Sequence, residues 1–295
     1  MAEGLKKSKF IHDYLHDPSA VIGSVIILLF VLSALLAPVI TPQNPYDLKK
    51  ISLEHFLIPP IWTEEGQSPF VLGTDDQGRD ILSTILFGLR TSLVVAFGVV
   101  LLAGTLGVTM GLLAGYYGGL LDSVLMRLAD TFFSFSTTLI AFLLLGLFKQ
   151  KGVLIVIAAI SVADWVRYAR TMRGSVFEVK EQAYVMAARA TGATDVRLLI
   201  KHILPNALPP IFVVVAVDLA VVVMIEATLS FLGVGVPLTE PSLGMMIAIG
   251  KDYVYAGMWW MVVFPGAALV LLVVGINLFA DWLREKLNPK IERGG

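Results

Sequence analysis

The chain contains no cysteine, so disulfides, thiolate metal sites and cysteine nucleophiles are excluded. Charge is scarce too: Asp, Glu, Lys and Arg are 15% of the residues, against roughly 25% in soluble domains. The formal net charge of −1 offers a nucleic acid no electrostatic footing, and no such partner is expected. A phosphate-cradling loop is also missing. The one Gly-Lys pair, Gly250-Lys251, runs on into Asp252 with no glycine at the needed upstream spacing, so ATP is not bound by a P-loop. Neither HExxH nor GxSxG occurs, and His12, His16, His55 and His202 are scattered. No catalytic residue, cofactor or metal site is expected of this chain.

Apolar residues are what it has: 57% of 295 positions are hydrophobic, in several long uncharged runs. The length would accommodate two soluble units, but this composition favours one membrane-embedded unit and excludes disorder, collagen and coiled coil. A spanning helix needs about 20 mostly apolar residues. Six segments qualify, predicting an all-α membrane protein with six transmembrane helices. The first covers residues 20–40 and ends in the cluster Pro38, Pro42 and Pro45. The second lies in the uncharged stretch between Arg90 and Asp122. A third follows Arg127 to Phe148 with Asp130 near its start, and a fourth begins near Gly152 and turns polar at Asp164. The fifth, after Pro205, carries Asp218 and Glu226, and the sixth is uncharged from Tyr253 to Ala280 with Trp259 and Trp260 placed as an interfacial belt. A cleaved leader is disfavoured, because residues 1–19 contain Asp13 and Asp17 and no A-x-A pattern follows the first apolar run.

With a cytoplasmic N-terminus, 15 of the 22 basic residues fall inside, so the positive-inside rule puts both termini in the cytoplasm. The expected organisation is a tail at 1–19, a first span at 20–40, and an extracytoplasmic segment at 41–89. A five-helix core at 90–281 and a tail at 282–295 follow. Within the second span Gly104, Gly107, Gly111 and Gly115 share one face, suited to close packing inside the chain or against a second subunit. Asp130, Asp218 and Glu226 are costly at depth and are expected to face protein or a water-filled pathway; Glu226 is expected to bond to backbone at the outer end of its helix.

The most informative polar stretch is 178–206, between spans four and five. Alanines 183, 187, 188 and 190 favour a helix, Gly192 supplies a turn, a second short helix runs from about Asp195 to Ile203, and Pro205 is expected to stop it. Such a cytoplasmic hairpin reads as a docking knob or as an amphipathic pair resting on the membrane.

This segment resembles the EAA loop of permeases in binding-protein-dependent ABC importers, whose pattern is E-A-A, three residues, G, nine residues, then I-x-L-P. Ala187, Ala188, Gly192, Leu204 and Pro205 fall on it, while Met186 and His202 replace its Glu and Ile. The run VLGTDDQGRDILSTILFGLRTSL, Val71 to Leu93, is similar to the segment ahead of the second span in the C-type permease of the dipeptide, oligopeptide and nickel importers. EATLSFLGVG from Glu226, FPG at Phe264 and NPK at Asn288 follow in the family's order. The resemblance implies a type I importer permease-like fold and half of a translocation pathway in a cell membrane. It also implies a homologous second permease, two cytoplasmic ATPases docked on the coupling hairpin, and an extracytoplasmic solute-binding protein. Arg189, like Arg197, is a candidate to pair with acids on the ATPase. The acidity of the outer segment, which includes Asp47, Glu54, Glu64, Glu65, Asp75, Asp76 and Asp80, fits either a cationic patch on the binding protein or simple solubility. Two rival readings are a self-sufficient carrier relaying protons through Asp218 and Glu226, with Asp130 as a further candidate, and a non-transporting membrane scaffold.

Overall fold

The structure is a computed structural model that describes residues 13–46, 53–148, 151–237 and 239–287. The NPK run at Asn288, the remote tails, Asp47, Lys49, Lys50 and Lys149 lie outside the described residues. Helix α1, Pro18–Ile40, starts where the Asp17 carboxylate accepts from the backbone N–H of Ser19 and Ala20. Helix α2, Ile81–Tyr117, begins nine residues ahead of Arg90, and Asp80 caps it through the Ser83 N–H at 2.8 Å. At 37 residues it is about 55 Å long at 1.5 Å per residue, well beyond a bilayer's apolar thickness.

The expected third span is not one straight helix. It is a pair, α3 (Gly119–Phe133) and α4 (Thr137–Leu147), bent by 84° at the break. Ser134, Phe135 and Ser136 interrupt the helix there, and the Ser134 hydroxyl bonds back to the Asp130 carbonyl. Helix α5, Val153–Lys180, runs unbroken for 28 residues through the polar point at Asp164. Among the described residues four helices are long and apolar enough to cross a membrane by themselves: α1, α2, α9 (Pro209–Phe231) and α11 (Trp260–Leu287). Counted as one broken span, the bent pair brings the number to five. Helix α5 falls short of that standard because Asp164, Arg167, Arg170 and Arg173 break its apolar run.

The glycine face of α2 packs inside the chain, on α5. A Cβ at Gly107 would lie 2.3 Å from the Trp165 carbonyl oxygen, and one at Gly111 would lie 2.3 Å from that of Ala169. Only glycine lets the two backbones meet this closely. Helices α1 and α11 repeat the device, since a Cβ at Gly23 would stand 2.8 Å from the Gly275 carbonyl oxygen.

Between α9 and α11 lie α10 (Leu243–Gly250) and a 3-10 turn, Lys251–Ala256. Trp260 is not an exposed belt residue. It is buried, and its indole N–H donates to the Thr74 carbonyl at 3.2 Å; only its neighbour Trp259 is exposed. The segment ahead of α2 is tied down at the same place. Thr74, Asp75, Arg79 and Asp80 are buried, with the Arg79 Nε donating to Asp75 at 2.6 Å. Asp75 and Asp80 are therefore structural rather than part of an acidic surface; among the described residues of this segment Glu54, Glu64 and Glu65 are the exposed acids.

Candidate functional site

The stretch at 178–206 folds as a hairpin on the end of α5. Helix α6, Ala183–Ala190, is followed by Gly192 at φ +85°, a left-handed turn where glycine is favoured. Helix α7, Asp195–Arg197, is started by the Thr194 hydroxyl, which accepts from the Arg197 N–H. A π-helical turn, Leu198–Ile203, comes next. Pro205 does not stop the chain here. The wide turn carries the Leu204 N–H to the Leu199 carbonyl, so a new helix, α8 (Leu204–Ala207), opens with Pro205 in its first turn, where no backbone donor is required. Sequence patterning at 3.6 residues per turn does not reveal such a re-phasing.

Val185, Leu198 and Ile203 are buried and fasten the hairpin to the body, while Tyr184, Met186, Val196 and Ile200 project outward. Ala187, Arg189 and Gly192 are exposed; Ala188 and Leu204 are half-buried and pack on the core. The Tyr116 hydroxyl, at the end of α2, donates to Asp195 at 2.5 Å, and the Arg189 guanidinium stands 5.8 Å from the Tyr116 ring centre. Lys180 donates to the Gly115 carbonyl at 2.8 Å. The hairpin is thus joined to both α2 and α5, the helices that meet along the glycine face.

The three acids singled out within the spans belong to three separate networks. Asp130 on α3 is largely exposed and paired with Arg170 at 2.5 Å, and nearby Asp122 takes a two-pronged contact from Arg173. Asp218 on α9 is buried; it accepts from the Tyr168 hydroxyl at 2.7 Å and from Arg167 at 3.0 Å. Asp164, fully buried one turn before Arg167, stands 3.5 Å from its Nε. Glu226 is buried as well, but its partners are side chains rather than backbone: the Ser92 and Ser230 hydroxyls donate to its two oxygens, each at 2.7 Å. A buried carboxylate needs several donors, and a serine four residues along the same helix is a ready one. Arg167 and Tyr168 were missed as site residues by sequence reasoning. The signal was present, because Asp164, Arg167 and Tyr168 at spacings of three and four share one face of α5.

Ahead of α2, Asp76 is half-buried with Oδ1 unpartnered among the described residues. Burial, reinforced by the neighbouring Asp75 charge, pushes its carboxyl above the ordinary 3.8.

Residues 107–293 match the family described as binding-protein-dependent transport system inner membrane component. The chain belongs to this family. Residues 8–60 match the N-terminal transmembrane domain of oligopeptide transport permease C. As a family member it is a membrane permease subunit of ABC transporters, multi-pass by its apolar helices. Among curated relatives, the dipeptide transport system permease protein DppC of Haemophilus influenzae is 36% identical over 276 residues, covering 93% of this chain and 91% of that protein. The di/tripeptide permease DppC of Pseudomonas aeruginosa is 34% identical, covering 96% and 92%. The oligopeptide permease OppC of Bacillus subtilis is 34% identical, covering 93% and 86%. A solved chain of the methionine ABC transporter MetNI in an inward-facing conformation superposes with a TM-score of 0.56 at 21% identity, covering 70% of this chain and 96% of that one. That likeness establishes the type I importer permease fold.

Proposed function

We propose that this permease forms one half of an ATP-driven import pathway for di- and oligopeptides. Its companion half is a homologous second permease, with peptide supplied by an extracytoplasmic binding protein. The observation that carries the substrate class is the agreement of relatives 34–36% identical over more than nine-tenths of this chain, each named for peptide transport. Coupling to the ATPases is assigned to the hairpin at 183–205. Its inner residues are anchored, and Tyr184, Met186, Ala187, Val196 and Ile200 are left to fill a partner's groove. Ala187, Ala188, Arg189, Gly192, Leu204 and Pro205 then act as one rigid element rather than as separate contacts. We assign the sixth crossing to α5, whose charged residues meet acids of α3 and α9 instead of lipid. Both termini, with the hairpin, then lie in the cytoplasm of a cell with an inner membrane.

The test is reconstitution of the full assembly with its two ATPases, companion permease and binding protein in liposomes. ATP-dependent uptake of trialanine is expected. Uptake by this chain alone overturns the subunit assignment, and uptake of nickel but not trialanine overturns the substrate class.

A further inference from the structure

A cleft runs along one side of α9 where the bent pair α3–α4 leaves room. It consists of a cavity of about 330 Å³ at the 84° break and an adjoining one of about 280 Å³. The two share Thr138, Val221 and Ile225, so they form one groove. Its polar groups come from four helices: Arg167 on α5, Ser136, Thr137 and Thr138 at the start of α4, Thr228 on α9 and Asn277 on α11. Ser136 occupies the N-cap position of α4 but makes no side-chain bond to it, leaving the hydroxyl to the groove. Asn277 is an exposed amide partway along an uncharged span, where contact with lipid would leave its donors and acceptor unmet. The apolar cavity among α1, α2, α9 and α11, by contrast, is lined by no such group.

Arg167 is 38% exposed, with Asp218 and Asp164 held against it from the protein side. A guanidinium has five N–H donors, and those two contacts leave several unused. Asp218, bonded to it from behind, offsets its charge, so it offers directed donors to the groove without forming a strong anion trap. A wall that must release what it holds requires that balance.

We propose that this groove is the part of the translocation wall that holds the peptide, with Arg167, Ser136, Thr138 and Asn277 bonding to its carboxylate or main-chain carbonyl oxygens. This rests on the peptide reading above. The shared chemistry is a planar oxygen acceptor, which every peptide carries, so the wall accepts different side chains. Arg167 itself is left intact in the test, because its removal would strand Asp164 and Asp218 in the interior.

Since the chain lacks cysteine, single substitutions Asn277→Cys and Thr138→Cys are made in the full reconstituted assembly, with Leu29→Cys on peripheral α1 as the lipid-facing control. Both groove positions are expected to react with a small hydrophilic thiol reagent during ATP turnover while the control does not. Trialanine supplied with the binding protein is expected to slow that reaction at least threefold. Slowing by trialanine but not by its C-terminal amide assigns the carboxylate; slowing by both assigns main-chain carbonyls. No reaction at either position, as when the companion permease or lipid seals the groove, overturns the proposal, and so does a rate unchanged by both peptides. Trialanine uptake by the parent assembly is measured in parallel, so failure of the peptide reading registers there and failure of the wall registers in the labelling.

Discussion

The Tyr168 hydroxyl donates to Asp218 across 2.7 Å, joining α5 to α9 at a fully buried point. Replacing Asp218 by Leu strands that hydroxyl and removes the carboxylate that Arg167 bonds. A loss of about 1–3 kcal/mol is expected, read as a lowered unfolding midpoint in detergent. Asp218→Asn keeps an acceptor and should cost less than half as much. Equal midpoints for both variants and the parent would show that this bond contributes nothing to the packing of α5 on α9.

Gly107 and Gly111 set the approach of α2 to α5. Since a Cβ at either would fall 2.3 Å from a carbonyl oxygen, even alanine forces the helices apart. Gly111→Ala is expected to destabilise by about 1–3 kcal/mol and Gly111→Val by more. Gly146→Ala, with nothing within 4 Å of the added carbon, serves as the control that should leave thermal stability unchanged or slightly raised.

Gly192 has open space around it and φ of +85°, so a larger residue there meets no clash and acts through the backbone alone. Gly192→Leu should cost about 1–2 kcal/mol locally and cut substrate-stimulated ATP hydrolysis by at least tenfold while membrane insertion stays normal. Ala188 is half-buried, so Ala188→Trp should displace the hairpin itself; Ala187→Trp, at an exposed position, isolates the docking contact. If the assembly with Ala187→Trp hydrolyses ATP and imports like the parent, the exposed face of α6 is not part of that contact.

Asp76 sets the sign of a pH effect. Its folded carboxyl titrates above the ordinary 3.8, so its stability contribution is full below that value and is lost as pH rises through the raised one. Asp76→Asn should therefore raise the unfolding midpoint at pH 7, with the gain shrinking to nothing as pH falls toward 3.8. A gain that is constant across that range would mean the effect is steric rather than ionic.

Much of this molecule was legible without coordinates, and the reasons are local. Apolar run lengths between charged residues marked α1, α9 and α11, because a helix that satisfies its own backbone in lipid leaves no alternative to a long uncharged stretch. Glycines at spacings of three and four announced a close contact, and the alanine and glycine pattern at 183–192 announced the hairpin. What stayed hidden depends on partners distant in the chain. The 84° break between α3 and α4 follows no proline, and the π turn before Pro205 follows no rule of hydrophobic period. That the glycine face meets α5 of the same chain, that Trp260 serves the Thr74 carbonyl, and that Glu226 is served by Ser92, 134 residues away, was decided only when the helices packed. Composition says which residues must avoid lipid; tertiary structure alone chooses the donors and acceptors that let a buried charge stay there.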